Sequence, residues 1–216
     1  MSRLAQWRAA GAVLVLAMGT FLAVAAEPKA TKDEEGFVSI FDGKSLAGWT
    51  VIGKPEGFTV KDGILRSEGA KGGNWIRSEK EYGDFILRME WKVSKGGNSG
   101  VFIRAAKEGN PWETGYECQI LDDETRDDAH CTGSLYGYFA VAKRPDTTPD
   151  VWHKFEIRCQ GTKIKVTSDD TVCVDVDEKT NEKAKDKPKK GYLGLQDSHS
   201  TAGHYIEFRN IRIKSL

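Results

Sequence analysis

Apolar and polar residues alternate along much of the chain, most clearly between positions 85 and 93. Phe85, Leu87, Met89, Trp91 and Val93 fall on one face of an extended segment, and three charged residues fall on the other. A period of two is typical of a β-strand with one buried face. The same pattern predicts further strands at 101–104, 116–121, 154–159, 163–166, 172–176, 192–196 and 205–213.

Turn residues separate these segments. Asp62-Gly63, between the apolar stretches 58–60 and 64–65, is a two-residue hairpin signal. After the N-terminal region, no segment of ten or more residues keeps a helical period of 3.6. Many short strands with this spacing predict an all-β domain, built as a sandwich or a barrel.

The N-terminus has the three-part pattern of a secretory signal peptide. Arg3 and Arg8 precede an apolar stretch at 9–23, and small residues follow at 23–26. The apolar stretch is shorter than the roughly 20 residues of a spanning helix, so we expect cleavage and no stable membrane insertion afterwards. The predicted organisation is a signal peptide at 1–26, a polar leader at 27–35 and one domain at 36–216, in the periplasm or secreted.

The charge balance argues against one class of partner. Lys and Arg total 32, as do Asp and Glu, and loss of Arg3 and Arg8 with the signal peptide leaves 30 against 32. Without a basic surplus to neutralise phosphates, nucleic acid is not an expected partner. The motifs of serine hydrolases, zinc proteases and nucleotide-binding loops are also absent from the sequence.

Four cysteines, Cys118, Cys131, Cys159 and Cys173, remain after signal cleavage. An even number in an oxidising compartment predicts two disulfides, and four cysteines allow three pairings. From the short spacing we predict a Cys118–Cys131 bridge, which would stabilise the fold by about 3 kcal/mol. The alternative is free thiols that pack as small apolar residues.

The segment 116–121 is the first candidate for chemistry. If Cys118 and its alternating neighbours face inward, Glu117 and Gln119 lie side by side on the opposite face, with Asp122 just past the strand end. A carboxylate beside an amide can bind sugar hydroxyls, and a carboxylate can also transfer protons. The alternative is an ordinary solvated outer face.

A cation and two histidines are further candidates. Strand alternation places Arg104 on the face of Phe102, where it either binds a ligand or forms a salt bridge. His199 follows a predicted strand, and His130 follows the acidic run 122–128. Histidine transfers protons near neutral pH, although a single loop histidine is commonly a surface residue. The acidic run lacks the spacing of a dedicated Ca²⁺ loop and is interpreted as solvated.

Three motifs carry a resemblance to a known family: FDGKSLAGW at 41–49, NSGVFIR at 98–104 and FRNIRIK at 208–214. In this order, with the segments between them, the chain from Phe37 to Lys214 resembles the 3-keto-disaccharide hydrolase family, also described as 3-keto-glucoside 1,2-lyase/3-keto-2-hydroxy-glucal hydratase domains. The resemblance implies a concanavalin-like jelly-roll β-sandwich of antiparallel sheets, usually exported. It also implies a saccharide or glycoside substrate whose sugar is oxidised at C3.

That chemistry needs a base for the C2 proton, a partner for the enolate oxygen and an acid for the leaving group. Arg104 is the candidate enolate partner, with a divalent metal ion as the alternative. Glu117 and His199 are preferred as proton carriers, without assigning which is the base. The other candidates are Asp122 and His130 for proton transfer, and Asn98, Gln119, Tyr136 and Gln196 for orienting hydroxyls.

Two departures from the family pattern are present: Trp152-His153 where members often have Trp-Asn, and the stretch 168–171 where they often have an Asn-Gly turn.

Two other functions stay open. Trp75 or Trp112 can serve as an aromatic platform in a non-catalytic carbohydrate-binding module, and the sandwich can be purely structural. Convergent ionisable residues in a pocket would favour the enzyme, and a flat aromatic strip would favour the binding module.

Overall fold

A computed structural model describes residues 35–69, 74–122 and 124–216. The predicted signal peptide and the leader up to residue 34 lie outside these ranges. Within them, no helix has the length and apolar character needed to cross a bilayer.

Short antiparallel strands account for nearly half of the described residues, and one four-residue α-helix precedes β8. The elements are β1 (Val38–Ser39), β2 (Trp49–Ile52), β3 (Phe58–Lys61), β4 (Ile64–Glu68), β5 (Trp75–Tyr82), β6 (Phe85–Val93), β7 (Asn98–Ala105), α1 (Pro111–Thr114), β8 (Tyr116–Leu121), β9 (His153–Gln160), β10 (Lys163–Ser168), β11 (Thr171–Asp177), β12 (Gly191–Gln196) and β13 (Tyr205–Ser215). The predicted strands are confirmed, and β6 and β8 have the predicted bounds.

The strands form two sheets that pack face to face. The larger sheet has the order β11-β10-β9-β6-β13-β4-β3, with β1 also paired to β13. The smaller sheet has the order β2-β5-β12-β7-β8. Leu87 and Trp91 of β6 and Val101 and Ile103 of β7 are among the fully buried side chains between the sheets. Burial of each such side chain contributes about 1.5–3 kcal/mol. The all-β sandwich is therefore confirmed.

The hairpin predicted at Asp62-Gly63 joins β3 to β4. Asp62 has a φ of 52° and Gly63 a φ of 79°. Two successive positive φ angles are the signature of a type I′ turn, whose twist matches that of the flanking strands. The prediction is confirmed.

Strand β7 contains a β-bulge close to its end. Phe102 pairs with Gly194 and Ala105 pairs with Tyr192, so two residues of β7 oppose one residue of β12. Arg104, inside the bulge, has a φ of 53°. A bulge interrupts the alternation of side chains, and this one changes the face on which Arg104 lies.

The two departures from the family pattern contact each other. Nδ1 of the buried His153 lies 2.8 Å from Oδ2 of Asp169, which is in the β10–β11 turn. Nε2 of His153 lies 3.0 Å from the carbonyl oxygen of Thr148, and the ring stacks on Trp91 with centroids 4.6 Å apart. His153 therefore anchors a loop and a turn on the larger sheet.

The predicted Cys118–Cys131 disulfide is wrong for this structure, in which all four cysteines are free. Cys118 faces the main core between the sheets, whereas Cys131 packs with Val141 and Cys173 in a separate small cluster. Burial raises the pKa of the Cys118 thiol well above its usual value. A buried thiol of this kind behaves as an unreactive apolar residue.

Candidate functional site

A cleft of ≈ 550 Å³ lies over the outer face of the smaller sheet. Strands β5, β12, β7 and β8, together with α1, supply most of its walls. Its lining residues are Ile52, Asn74, Trp75, Asn98, Phe102, Gly109, Asn110, Pro111, Trp112, Glu117, Gln119, Tyr136, Gln196, Asp197 and His199. The structure thus brings eight predicted residues together: Trp75, Asn98, Trp112, Glu117, Gln119, Tyr136, Gln196 and His199.

Strand β8 positions Glu117 and Gln119 as strand alternation predicts. Cys118, between them, belongs to the core, and the other two point into the cleft. Glu117 is only 5% exposed and Gln119 only 2%. The alternative of a solvated outer face is therefore wrong. Burying a polar group lowers stability unless it is hydrogen-bonded or paired, so the burial of the Glu117 carboxyl group calls for a functional explanation.

Two glycines in the sheet under the cleft leave room for the side chains that pack over them. A Cβ placed on Gly100 would lie 2.4 Å from Oε1 of Glu117, and one placed on Gly194 would lie 2.4 Å from the Trp75 ring. Any side chain at these positions would enter the space that Glu117 and Trp75 occupy. The backbone of β7 and β12 thus supports both side chains directly.

The carboxyl group of Glu117 receives no hydrogen bond from the residues that the structure describes. Burial disfavours the charged form and raises the pKa of Glu117 to about 8. The group therefore holds a proton at neutral pH and can donate it to a ligand. Perturbed carboxyl groups in clefts are typical of catalytic sites.

An amide pair lies beside this carboxyl group. Nε2 of Gln119 donates to Oδ1 of Asn98 at 2.7 Å, and the backbone N–H of His199 donates to the Asn98 carbonyl oxygen at 2.8 Å. These bonds orient Asn98 so that its NH₂ group stays available as a donor and Oε1 of Gln119 stays available as an acceptor. Both positions suit the binding of a ketone or a hydroxyl group.

Two residues that were not predicted from the sequence, Asn74 and Asp197, hold the opposite wall together. Oδ2 of Asp197 accepts a hydrogen bond from the Asn74 backbone N–H at 2.9 Å, and the Asp197 N–H donates to the Asn74 carbonyl oxygen at 2.9 Å. Asp197 stands between Gln196 and His199, so the sequence placed it next to two candidates. Asn74 had no such signal, because the pairing of β5 with β12 brings it there.

Three aromatic rings form a continuous row in the cleft. The centroids of Trp75 and Phe102 are 5.5 Å apart in an edge-to-face arrangement, and those of Phe102 and Trp112 are 6.5 Å apart. Phe102 was not predicted as a site residue, although strand alternation placed it on the same face as the candidate Arg104. The row gives the cleft an apolar wall facing its polar groups.

The prediction that Arg104 lines this cleft is wrong. Because of the bulge, its guanidinium group turns between the sheets, where it is fully buried. It donates to the carbonyl oxygen of Gly161 at 2.9 Å and forms ion pairs with Asp84 at 3.3 Å and Glu178 at 3.9 Å. The salt-bridge alternative is the one observed.

Asp122 and His130 also lie outside the cleft lining. Oδ2 of Asp122 accepts a hydrogen bond from the backbone N–H of Gly96 at 2.7 Å and so closes a turn. The ring of His130 packs edge-on against Tyr136, with centroids 4.6 Å apart. Tyr136 does line the cleft, and its backbone N–H donates to the Glu117 carbonyl oxygen at 2.9 Å. His130 therefore reaches the site only through Tyr136.

In the described parts of the chain, no three His, Cys, Asp or Glu side chains are grouped so that they could hold a metal ion. The divalent ion considered as an alternative enolate partner has no such group of ligands among these described residues.

Comparisons with known proteins show which sequences and structures this chain resembles. A sequence model of the 3-keto-alpha-glucoside-1,2-lyase-like domain matches residues 36–214. A Bacteroides thetaiotaomicron protein named 3-keto-disaccharide hydrolase is 29% identical over 236 aligned positions, which cover 85% of this chain and 80% of that protein.

Solved structures show the same architecture. A Parabacteroides distasonis protein, provisionally assigned as a glycosyl hydrolase, superposes with a TM-score of 0.73 at 25% identity, over 83% of this chain and 99% of that one. A carbohydrate-binding module from Bacillus subtilis superposes with a TM-score of 0.51 at 16% identity, over 78% and 96% of the two chains. The second likeness concerns the fold alone, a concanavalin-like jelly-roll β-sandwich.

Proposed function

The chain belongs to the 3-keto-alpha-glucoside-1,2-lyase-like domain family, and from that membership we propose that it cleaves the glycosidic bond of 3-keto-glycosides by elimination and hydration. The observation that carries the proposal is Glu117, a buried carboxyl group in a saccharide-sized cleft that holds its proton at neutral pH. A purely structural sandwich gains nothing from such a group, because its burial lowers stability.

In the elimination step, His199 removes the proton from C2, which the neighbouring C3 ketone makes acidic. The electron pair forms the C1–C2 double bond, and the C1–oxygen bond breaks. Glu117 gives its proton to the departing oxygen, so the leaving group departs as a neutral alcohol. His199 suits the base role because its side chain is exposed at the rim of the cleft, where an imidazole keeps access to water.

In the hydration step, the two residues exchange roles. The carboxylate of Glu117 takes a proton from water as its oxygen bonds to C1, and the imidazolium of His199 returns a proton to C2. Both residues regain their starting protonation states. The net reaction consumes one water and releases the alcohol and the free 3-keto sugar.

Neutral amides take the role that the sequence suggested for Arg104. The NH₂ group of Asn98 is oriented by its bond from Gln119 and can donate to the oxygen on C3 as negative charge develops there. Preorganised donors of this kind commonly contribute ~10²–10³-fold in rate. Oε1 of Gln119 can accept from a sugar hydroxyl group and fix the ring.

The mechanism is tested by running the reaction of a 3-keto-glucoside in D₂O. Elimination and hydration place deuterium at C2 of the released sugar, whereas direct displacement at C1 leaves the C2–H intact. C4 flanks the ketone on its other side and serves as the internal reference for spontaneous exchange. Cleavage without deuterium at C2 would reject the proposed mechanism.

A second candidate function is a non-catalytic saccharide-binding module, which the aromatic row of Trp75, Phe102 and Trp112 favours. The two functions differ in one observable. The enzyme consumes a 3-keto-glucoside, whereas the module binds a saccharide and leaves it intact. Titration calorimetry would detect such binding.

We also propose that the chain is exported with loss of residues 1–26. The support is the N-terminal pattern of two arginines, an apolar stretch and small residues. N-terminal sequencing of the protein recovered from its native host should read from Glu27. Recovery from the cytoplasm with Met1 or Ser2 at the N-terminus would contradict export.

A further inference from the structure

The cleft has two chemically distinct halves, and Glu117 lies where they meet. On the neighbouring strand, the cross-strand partner of Glu117 is Phe102 and that of Gln119 is Gly100. The carboxyl group of Glu117 lies over Gly100. It is therefore located between Phe102 on one side and the Gln119–Asn98 amide pair on the other.

The polar half suits the oxidised sugar. It contains the amide pair and His199, whose backbone N–H binds Asn98, so the groups assigned to the C3 oxygen and the C2 proton are both there. The bond that breaks lies at C1, next to C2. With the acid Glu117 at the boundary, the leaving group extends from C1 toward Phe102.

In the aromatic half, Trp112 offers most of the exposed ring surface. Trp75 is 6% exposed and Phe102 1% exposed, whereas Trp112 is 38% exposed. Its position is fixed by the short helix α1, in which Oγ1 of Thr114 donates to the Asn110 carbonyl oxygen at 3.0 Å. Helix α1 ends just before β8, so Trp112 is held close to the strand that carries Glu117.

We propose that Trp112 stacks against the leaving group, and that preferred substrates carry a leaving group with a flat or apolar-faced ring. An aromatic aglycone and the C–H face of a second pyranose share this chemistry. The inference rests on the proposed function and deepens it, because it says what lies on the far side of the cleaved bond. Ring contacts with a tryptophan contribute through both buried area and stacking.

The test compares three 3-keto-glucosides whose leaving groups are methanol, phenol and glucose. For Trp112→Ala we expect kcat/KM to fall roughly tenfold or more with a ring leaving group and less than about twofold with methanol. Trp112→Phe, which keeps a ring, should restore most of the loss. Trp152→Ala, on the larger sheet and outside the cleft lining, is the matched control and should leave the preference unchanged.

Each outcome decides a separate point. A loss with the phenyl substrate alone identifies an aryl aglycone, and a loss with the glucosyl substrate alone identifies a disaccharide. An equal loss with all three substrates overturns the inference while leaving the proposed function intact, because Trp112 then contacts the sugar or supports the fold. Failure of the wild type to cleave any of the three overturns both.

Discussion

The carboxyl group of Glu117 lies directly over the backbone of Gly100, so closely that a Cβ on Gly100 would be 2.4 Å from Oε1 and 2.8 Å from Cγ. The two residues lie on adjacent strands, and the Glu117 side chain occupies the space that a side chain on Gly100 would need. The position of the proposed acid therefore depends on a glycine in β7 as well as on its own strand.

Gly100→Ala should reduce activity without unfolding the protein. The atoms that the new methyl group meets belong to the flexible Glu117 side chain, so the carboxyl group is displaced and the backbone is not. We expect kcat/KM on a 3-keto-glucoside to fall about 10²-fold, as is usual when a proton-transfer group is misplaced. Gly83→Ala is the control, since its Cβ would meet nothing closer than 3.9 Å. Equal rates for both variants would contradict this role of Gly100.

The pH dependence of kcat/KM distinguishes acid from base. Burial raises the pKa of Glu117 to about 8, so the protonated form persists through neutral pH and is lost above about 8. An acid that protonates the leaving group then gives a rate that falls about tenfold per pH unit on the alkaline side. A rate that instead rises through pH 8 would make Glu117 the base and reverse the assignment of His199.

The same burial should make stability depend on pH. In the unfolded chain Glu117 titrates near its ordinary value of 4.5, whereas the folded chain holds the proton to about 8. The folded state thus binds more protons in this window, and stability falls as pH rises through it. Glu117→Gln should abolish this pH dependence. Between pH 5 and pH 8.5, the free energy of unfolding of the wild type should therefore fall by up to ~4 kcal/mol more than that of the variant.

The measurement is urea unfolding of both proteins at these two pH values. Glu156→Gln, which changes a partly exposed carboxyl group on the larger sheet, is the control and should follow the wild type. If Glu117→Gln shows the same pH dependence as the wild type, the carboxyl group of Glu117 is not held protonated by the fold.

Arg104 should matter for stability and not for chemistry. Its guanidinium is fully buried and binds Gly161, Asp84 and Glu178, and removing one partner of a buried ionic network typically costs ~3–5 kcal/mol. We expect Arg104→Met to lower the free energy of unfolding by about 3 kcal/mol, while the folded fraction keeps kcat within about threefold of the wild type. A stable variant with a large loss of kcat would instead support the role predicted from sequence.

Strand alternation predicted the cleft residues of β8 correctly but failed for Arg104, because β8 is regular whereas β7 contains a bulge. Strand β8 is regular, so alternation alone places Glu117 and Gln119 together. The bulge in β7 is accommodated by distant glycines: a Cβ on Gly115 would be 2.3 Å from the Ile103 carbonyl oxygen, and one on Gly191 would be 2.6 Å from the Ala105 carbonyl oxygen. No local pattern in β7 reveals such neighbours.

Strand pairing explains what else the sequence could not supply. Asn74 and Asp197 meet only because β5 and β12 are adjacent in the sheet. The Cys118–Cys131 prediction used separation along the chain, whereas the side chains belong to different clusters. The alternation of side chains is a local property, but the order of strands in a sheet is not.

The proton-carrier roles of Glu117 and His199 are tested most directly by measuring kcat/KM on a 3-keto-glucoside for Glu117→Gln and His199→Ala. The matched control for the first variant is Glu156→Gln, and that for the second is His204→Ala. The controls change a carboxyl group and an imidazole outside the cleft lining. We expect both site variants to fold and to lose about 10²-fold or more in rate, while both controls retain the wild-type rate. Wild-type rates in Glu117→Gln and His199→Ala would contradict the assignment of these two residues as the proton carriers.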